Sequence, residues 1–170
     1  GSYQPEPAGT ECIEAEPGYY VPSPGSAVQT PSSRGHYSPG SGSTAQQTCP
    51  IGSYTASLGS ESVDQCIVSA PGYFSDGGVF APCPPGSYQP EPGRTECLDT
   101  EFGFYNSDSG SISGSLCPTG SYTTSTGSIS LDQCSINSPG YLAIGDLFQA
   151  CPAGSYQPEP AGTECIEAEP

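Results

Sequence analysis

The chain has 170 residues, of which Leu, Ile, Val and Phe together supply 24, or 14%, too few for the single apolar core of an ordinary domain. Its formal net charge is −16, with Arg34 and Arg94 the sole Lys/Arg cations, and a surface of that sign repels a phosphate backbone, which excludes nucleic-acid binding. No apolar run approaches the roughly 18 residues of a membrane span, while nine cysteines offer covalent constraint in place of a core and point to an oxidising, extracellular or cell-surface location.

Residues 1–17, GSYQPEPAGTECIEAEP, recur letter for letter at 154–170, so the chain holds one 153-residue period and the start of the next. Self-similarity of this kind predicts strung or stacked units. In chain order, 1–31 is a Cys-rich module whose first Cys is expected before the chain start. Residues 32–48 are a degenerate half-module, with Ser32 where the leading Cys belongs and Gly35 and Tyr37 in register. Full Cys-rich modules follow at 49–82, 83–116 and 117–150, and 151–170 opens the next copy of the period.

Two half-motifs alternate inside these modules. Cys-x-x-Gly-x-Tyr occurs at Cys49/Gly52/Tyr54, Cys83/Gly86/Tyr88, Cys117/Gly120/Tyr122 and Cys151/Gly154/Tyr156. Cys-x4-Pro-Gly-Tyr occurs at Cys12, Cys66 and Cys134, and Cys97 leads a variant with Phe102-Gly103-Phe104. Gly-Ser-Tyr predicts a short strand, since aromatic and polar β-formers suit the pleated backbone. Pro-Gly-Tyr predicts a turn entering a strand, Pro fixing φ and Gly free to take positive φ. With 20 prolines no helical periodicity survives. The expected fold is small, disulfide-rich and mostly β or irregular: an elongated tandem-repeat rod of short β-hairpins with little or no helix.

Spacing favours pairing each Cys of the first half-motif with the next along: Cys49–Cys66, Cys83–Cys97, Cys117–Cys134 and Cys151–Cys165, with the partner of Cys12 outside the chain. A competing scheme joins Cys66–Cys83, Cys97–Cys117 and Cys134–Cys151, and sequence alone leaves both open. A closed loop of about 15 residues contributes roughly 3 kcal/mol by restricting the unfolded chain.

The run Cys-Pro-x-Gly-Ser-Tyr, a spacer, Cys, then x4-Pro-Gly-Tyr resembles the ephrin-receptor-like and tumour-necrosis-factor-receptor-like cysteine-rich repeats along essentially the whole chain. The resemblance implies disulfide-laddered extracellular rods of the kind found in receptors, adhesins and large surface proteins. It carries over no ligand-binding residue.

Chemistry-bearing patterns are scarce. Thiolate metal sites need converging Cys or His, usually announced by Cys-x2–4-Cys, whereas neighbouring cysteines here stand at least 14 apart and His36 is the lone histidine. No catalytic, cofactor-binding or metal-binding residue is expected, and the chain is read as a non-enzyme. No EF-hand run is present, so the calcium expectation is limited to diffuse Ca2+ bridging between acidic faces. Hydroxyl residues beside Gly and Pro at Ser41, Ser43, Thr44, Ser111, Ser113, Thr123, Thr124, Ser125 and Thr126 are candidates for covalent O-linked glycans.

The expected role is a structural repeat unit of an extracellular fibre or cell-surface appendage whose partners are further copies of itself. The alternative is the stalk or ectodomain of a receptor or adhesin binding a protein or glycan. That alternative requires an apolar patch confined to one module, for which Tyr141, Leu142, Ile144, Leu147 and Phe148, and the group Phe102, Phe104 and Tyr105, are the candidates.

Overall fold

The computed structural model describes residues 1–145 and 147–169. Its strands are mostly two residues long and form ten separate two-stranded antiparallel ladders among the described residues. In chain order Ser2–Tyr3 pairs with Ile13–Glu14, Tyr19–Tyr20 with Thr30–Pro31, His36–Tyr37 with Gln47–Thr48, and Ser53–Tyr54 with Ile67–Val68. Tyr73–Asp76 then pairs with Val79–Pro82, Ser87–Tyr88 with Leu98–Asp99, and Phe104–Tyr105 with Ser115–Leu116. Ser121–Thr123 with Cys134–Ile136, Tyr141–Ile144 with Leu147–Ala150, and Ser155–Tyr156 with Ile166–Glu167 complete the series. This is the small, disulfide-rich, mostly β fold that the composition predicts.

Turn chemistry starts each hairpin. In Glu16-Pro17-Gly18-Tyr19 the Tyr19 amide donates to the Glu16 carbonyl at 3.0 Å, with Gly18 at φ +84°, the backbone of a type II turn. Cys-Pro-x-Gly-Ser makes the same closure, Ser53 N–H donating to the Pro50 carbonyl at 3.0 Å. Helical backbone among the described residues is limited to two 3-10 turns, Val63–Gln65 and Leu131–Gln133, each opened by a Ser/Gln capping box. They lie in the two disulfide loops of 17-residue separation; the loops of 14 lack them, so the turn absorbs the three extra residues.

The chain divides into two compact units, Gly1–Ala81 with Glu91–Glu96, and Pro82–Pro90 with Cys97–Pro170. Within each, successive hairpins are bonded to one another through the backbone. In the first unit Gly18 N–H donates to the Ser38 carbonyl (2.8 Å), Val21 to Ser43 (2.9 Å), Ser38 to Ser60 (2.9 Å) and Gly42 back to Ala15 (2.7 Å). In the second, Gly86 donates to Asn106 (2.9 Å), Asn106 to Ser128 (2.9 Å) and Gly110 back to Cys83 (2.8 Å). These bonds tie successive hairpins to one another. A Cβ built on Gly52 (φ +78°) would run into the Gly93 carbonyl, and one on Gly86 (φ +84°) into the Gly127 carbonyl. The glycine at this motif position thus serves close backbone approach as well as turn geometry.

The interior is polar. Among the described residues fifteen buried side chains are polar and seven apolar, the reverse of an ordinary core. One buried column carries the residue three before each turn glycine: Ala15, Ser32, Cys49 and Ser69 in the first unit, Cys83, Thr100, Cys117 and Asn137 in the second. A second column follows each strand tyrosine or its counterpart: Val21, Ser38, Thr55 and Ser75, then Gln89, Asn106, Thr123 and Ala143. Four of its polar members, Thr55, Ser75, Asn106 and Thr123, reach back to the preceding hairpin. Thr55 Oγ1 donates to the His36 carbonyl (3.0 Å), Ser75 Oγ to Ser53 (2.8 Å), and Asn106 Nδ2 to Ser87 (3.1 Å). A buried hydroxyl or amide is tolerated because it is hydrogen-bonded, and each such bond contributes about 1 kcal/mol net.

Candidate functional site

Four disulfides cross the hairpins: Cys49–Cys66, Cys83–Cys97, Cys117–Cys134 and Cys151–Cys165, with Cα–Cα distances of 5.7–5.8 Å. Cys12 is exposed and unpaired. Two hairpins replace the disulfide with a hydrogen-bonded clasp that the motif reading missed. Fourteen residues after Ser32, the step that separates Cys83 from Cys97, stands Gln46. Its Oε1 accepts from Ser33 N at 2.7 Å and Ser33 Oγ at 3.0 Å. Fourteen residues after Ala15 stands Gln29, whose Oε1 accepts from Glu16 N at 2.8 Å while Nε2 donates to the Glu16 carboxylate at 3.2 Å. The common 14-residue step was the available signal.

The hydroxyl candidates separate by burial. Ser41, Thr44, Ser113, Thr124, Ser125 and Thr126 are exposed. Ser43 and Ser111 are half-buried and tied into turns, Ser43 Oγ donating to Gly40 O (2.7 Å) and Ser111 Oγ to Asp108 O (3.1 Å). Thr123 departs from the expectation. It is 1% exposed, its Oγ1 accepting from Gly103 N (2.8 Å) and donating to Phe104 O (3.3 Å), so a glycan there would have to open the interior.

Two places depart from the repeat by displaying stacked aromatic rings. In the first unit Phe80 lies between Tyr54 and Tyr73, with ring centroids 3.6 and 5.2 Å away. In the second, Phe148 lies between Tyr122 and Tyr141, at 3.7 and 5.3 Å. Both Phe residues come from the second strands of the two longest ladders, each ring lying over a tyrosine of the preceding hairpin. The Phe80–Tyr73 and Phe148–Tyr141 pairs, at 5.2 and 5.3 Å, have the separation at which such contacts contribute about 1 kcal/mol each beyond area burial.

Of the apolar candidates, Phe102 joins Tyr122, Thr124 and Phe148 around an open cleft of about 450 Å³. Tyr141, Ile144 and Leu147 are exposed, whereas Leu142 is buried and belongs to the interior. Phe104 borders a separate depression of about 200 Å³ with Tyr88, Glu101, Ser113 and Gly114. Tyr105, half-buried, pairs across its ladder with Ser115.

Charge on the surface is dispersed. The Arg94 guanidinium bonds the Glu91 carboxylate three residues back, an exposed pair of small energetic weight. Among the described residues no group of three His, Cys, Asp or Glu side chains converges as a metal cage would require. No helix among them is long and apolar enough to cross a membrane.

No family model matches the chain. It is 35% identical over 100 residues to signal peptide, CUB and EGF-like domain-containing protein 2 of Danio rerio, a match covering 56% of this chain and 8% of that protein. It is 34% identical over 93 residues to signal peptide, CUB and EGF-like domain-containing protein 3 of Mus musculus, covering 52% and 8%. Over 65 residues it is 42% identical to cysteine repeat modular protein A of Toxoplasma gondii, covering 36% and 2%. The chain therefore spans less than a tenth of the length of each of these relatives. It is similar to cysteine-rich, extracellular-type proteins, and its own four disulfides agree with that class.

Proposed function

We propose that the chain is a structural repeat unit of an extracellular fibre or cell-surface appendage, assembled from the modules 1–31, 32–48, 49–82, 83–116, 117–150 and 151–170. The observation that carries this reading is the letter-for-letter recurrence of 1–17 at 154–170 in a chain whose successive hairpins bond to one another. Units that repeat and interact with their neighbours propagate in one dimension. The relatives named for a signal peptide and EGF-like domains, and the Cys-Pro-x-Gly-Ser-Tyr resemblance to receptor-type cysteine-rich repeats, support a location outside the cell. In this reading Ser41, Thr44, Ser113, Thr124, Ser125 and Thr126 carry O-linked sugars. The acidic surface keeps the assembly hydrated, and diffuse Ca2+ moderates repulsion between copies.

The test is electron microscopy of the native material isolated without reductant, with peptide mass mapping of the same sample. Particle length proportional to the number of 153-residue periods, with hexose additions on the six exposed hydroxyls, is the expected result. Compact globules of fixed diameter overturn it.

The second reading, a stalk or adhesin segment that binds a ligand, is favoured by the aromatic cleft of the second unit. Phe102 occupies the position that aligns with Arg34 in the first unit, so that cleft is not repeated. Phe102→Ala with Phe148→Ala should abolish capture of a surface partner while leaving all four disulfides formed. Undiminished capture removes this reading.

A further inference from the structure

Of the half-modules led by Cys12, Cys66, Cys97 and Cys134, that of Cys97 alone replaces Pro-Gly-Tyr with Phe102-Gly103-Phe104. Proline presets φ at this turn position, and a phenylalanine there gives up that advantage. Packing does not recover the loss. Phe102 is 55% exposed and takes part in none of the ring stacks among the described residues. The turn that displays it is nonetheless fixed. Gly103 N–H donates to Thr123 Oγ1 (2.8 Å), Gly103 O accepts from Cys117 N (2.8 Å), and Phe104 N–H donates to Glu101 O (3.1 Å). Phe102 borders the open cleft shared with Tyr122 and Phe148, while Phe104 borders the smaller depression shared with Tyr88 and Glu101. Both lie in the second unit, with complete hairpins before and after them in the chain.

The charge around these rings has one sign. The second unit holds nine Asp and Glu residues and no Lys, Arg or His. Glu101 is exposed and makes no ion pair among the described residues. Aromatic faces attract cations through the ring quadrupole, and a surrounding negative field adds to that attraction while it repels anions. A guanidinium is also planar and stacks on such rings. The repeat supplies an internal parallel. Arg34 aligns with Phe102, and the stacked rings Tyr54 and Phe80 align with Tyr122 and Phe148. The first unit thus carries a cation of its own at the module position where the second presents a ring.

From these observations we infer that Phe102, Tyr122 and Phe148, with Phe104 and Glu101 alongside, form a docking site for an arginine-bearing segment of a partner protein. This rests on the reading of the chain as a ligand-binding stalk or adhesin segment and gives that reading a partner chemistry. A guanidinium enters the cleft between Phe102 and the Tyr122–Phe148 stack. A neighbouring cation of the same segment lies against Glu101 and the rings of Tyr88 and Phe104. The turn is held before the partner arrives, so little ordering is lost on docking. A second copy of this chain is a poor source of the cation: it has no Lys, its Arg94 is bonded to Glu91, and its net charge has the same sign.

Titration of the 170-residue chain, followed by proton NMR and calorimetry, tests this with four probes. They are blocked glycine-rich peptides carrying two Arg, two Lys or two Glu, and glucose as a neutral ring. The Arg peptide should shift the ring protons of Phe102, Tyr122 and Phe148 and bind more tightly than the Lys peptide. Added salt should weaken both. The Glu peptide and glucose should leave the rings unmoved. Phe102→Pro, which restores the proline of the other half-modules, should weaken the Arg peptide about tenfold or more. An unreduced peptide map should show its four disulfides still formed. Glu101→Gln should weaken binding by a smaller factor. Failure of the Arg peptide to bind, tighter binding of the Lys peptide, or full-strength binding to Phe102→Pro overturns the inference. Glucose or the Glu peptide shifting the same rings overturns the cationic partner alone. The ligand-binding reading then still stands, because its own test is loss of partner capture in Phe102→Ala with Phe148→Ala.

Discussion

The hairpin led by Ser32 and the hairpin led by Cys83 are the same object with different fastenings. Both leading residues are 0% exposed. Both hairpins close at the base through one backbone bond, Cys49 N–H to Gly35 O and Thr100 N–H to Gly86 O, each 2.9 Å. Both leading carbonyls accept from a later loop glycine, Gly59 at 2.9 Å and Gly110 at 2.8 Å. Yet one is crossed by Cys83–Cys97 and the other by the Ser33–Gln46 clasp. The backbone conformation therefore comes from turns, glycines and hairpin-to-hairpin bonding. The sulfur bridge adds stability chiefly by limiting the unfolded chain.

Exchanging the fastenings is the strongest way to break this comparison. Ser32→Cys with Gln46→Cys should form a fifth disulfide at the same 14-residue step and raise local stability by about 3 kcal/mol. Cys83→Ser and Cys97→Gln, combined with Pro84→Ser to supply the N–H and hydroxyl that Ser33 supplies to Gln46, should lower it by about 2 to 3 kcal/mol, the clasp restoring part of the loss. Native-state hydrogen exchange at the Gly59 and Gly110 amides reads the two effects separately. If the Cys83 hairpin instead unfolds outright, with loss of its ladder, the bridge dictates conformation and the comparison fails.

The next effect lies in what the two hairpins share. Gly52→Ala meets a positive φ and the Gly93 carbonyl together. It should cost about 2 kcal/mol, seen as a lower urea midpoint, with the Cys49–Cys66 bridge still formed. A Gly25→Ala control has positive φ and nothing within 4 Å of the built Cβ. It isolates the backbone-strain part, and equal effects at both positions would show that close approach contributes nothing.

The legibility of this fold in its sequence follows the same division. Pro-Gly-Tyr and Gly-Ser-Tyr mark turns and strand starts because those signals are local. The interior is harder to read because hydropathy places Ser and Thr outside. Thr123 sits in a Ser/Thr run beside exposed Thr124 to Thr126, and nothing local distinguishes it. Its burial follows from its place one residue after a strand tyrosine, the column it shares with Thr55 and Asn106. Gln29 and Gln46 went unread because a clasp has no motif of its own, only a spacing borrowed from cysteines. Phe102 and Phe148 stand 46 residues apart in sequence, and the cleft that unites them needs three dimensions.

A smaller effect sharpens the account of the clasp. Gln46→Ala removes the acceptor for Ser33 N and Ser33 Oγ at an exposed position, so water recovers much of the loss. A decrease of about 1 kcal/mol or less is expected, read as faster exchange of the Ser33 amide. Gln46→Glu keeps an acceptor and should retain the protection. Protection unchanged in Gln46→Ala would mean that the clasp is incidental to the Ser32 hairpin.

The smallest effect is expected inside the polar column, and its direction is the informative part. Thr55 and Ser38 are both 0% exposed and occupy equivalent positions one hairpin apart. Thr55 Oγ1 donates to His36 O at 3.0 Å, whereas Ser38 Oγ has no hydrogen-bond partner. Thr55→Val keeps the shape and leaves the His36 carbonyl without that donor, costing about 1 kcal/mol. Ser38→Ala removes a hydroxyl whose burial is uncompensated and should be neutral or stabilising by a few tenths of a kcal/mol, roughly speaking, because desolvating an unpaired hydroxyl is unfavourable. Chemical denaturation of the two single variants decides the matter. A destabilising Ser38→Ala as large as Thr55→Val would mean that the column is held by close packing of small side chains and not by the hydrogen bonds they make.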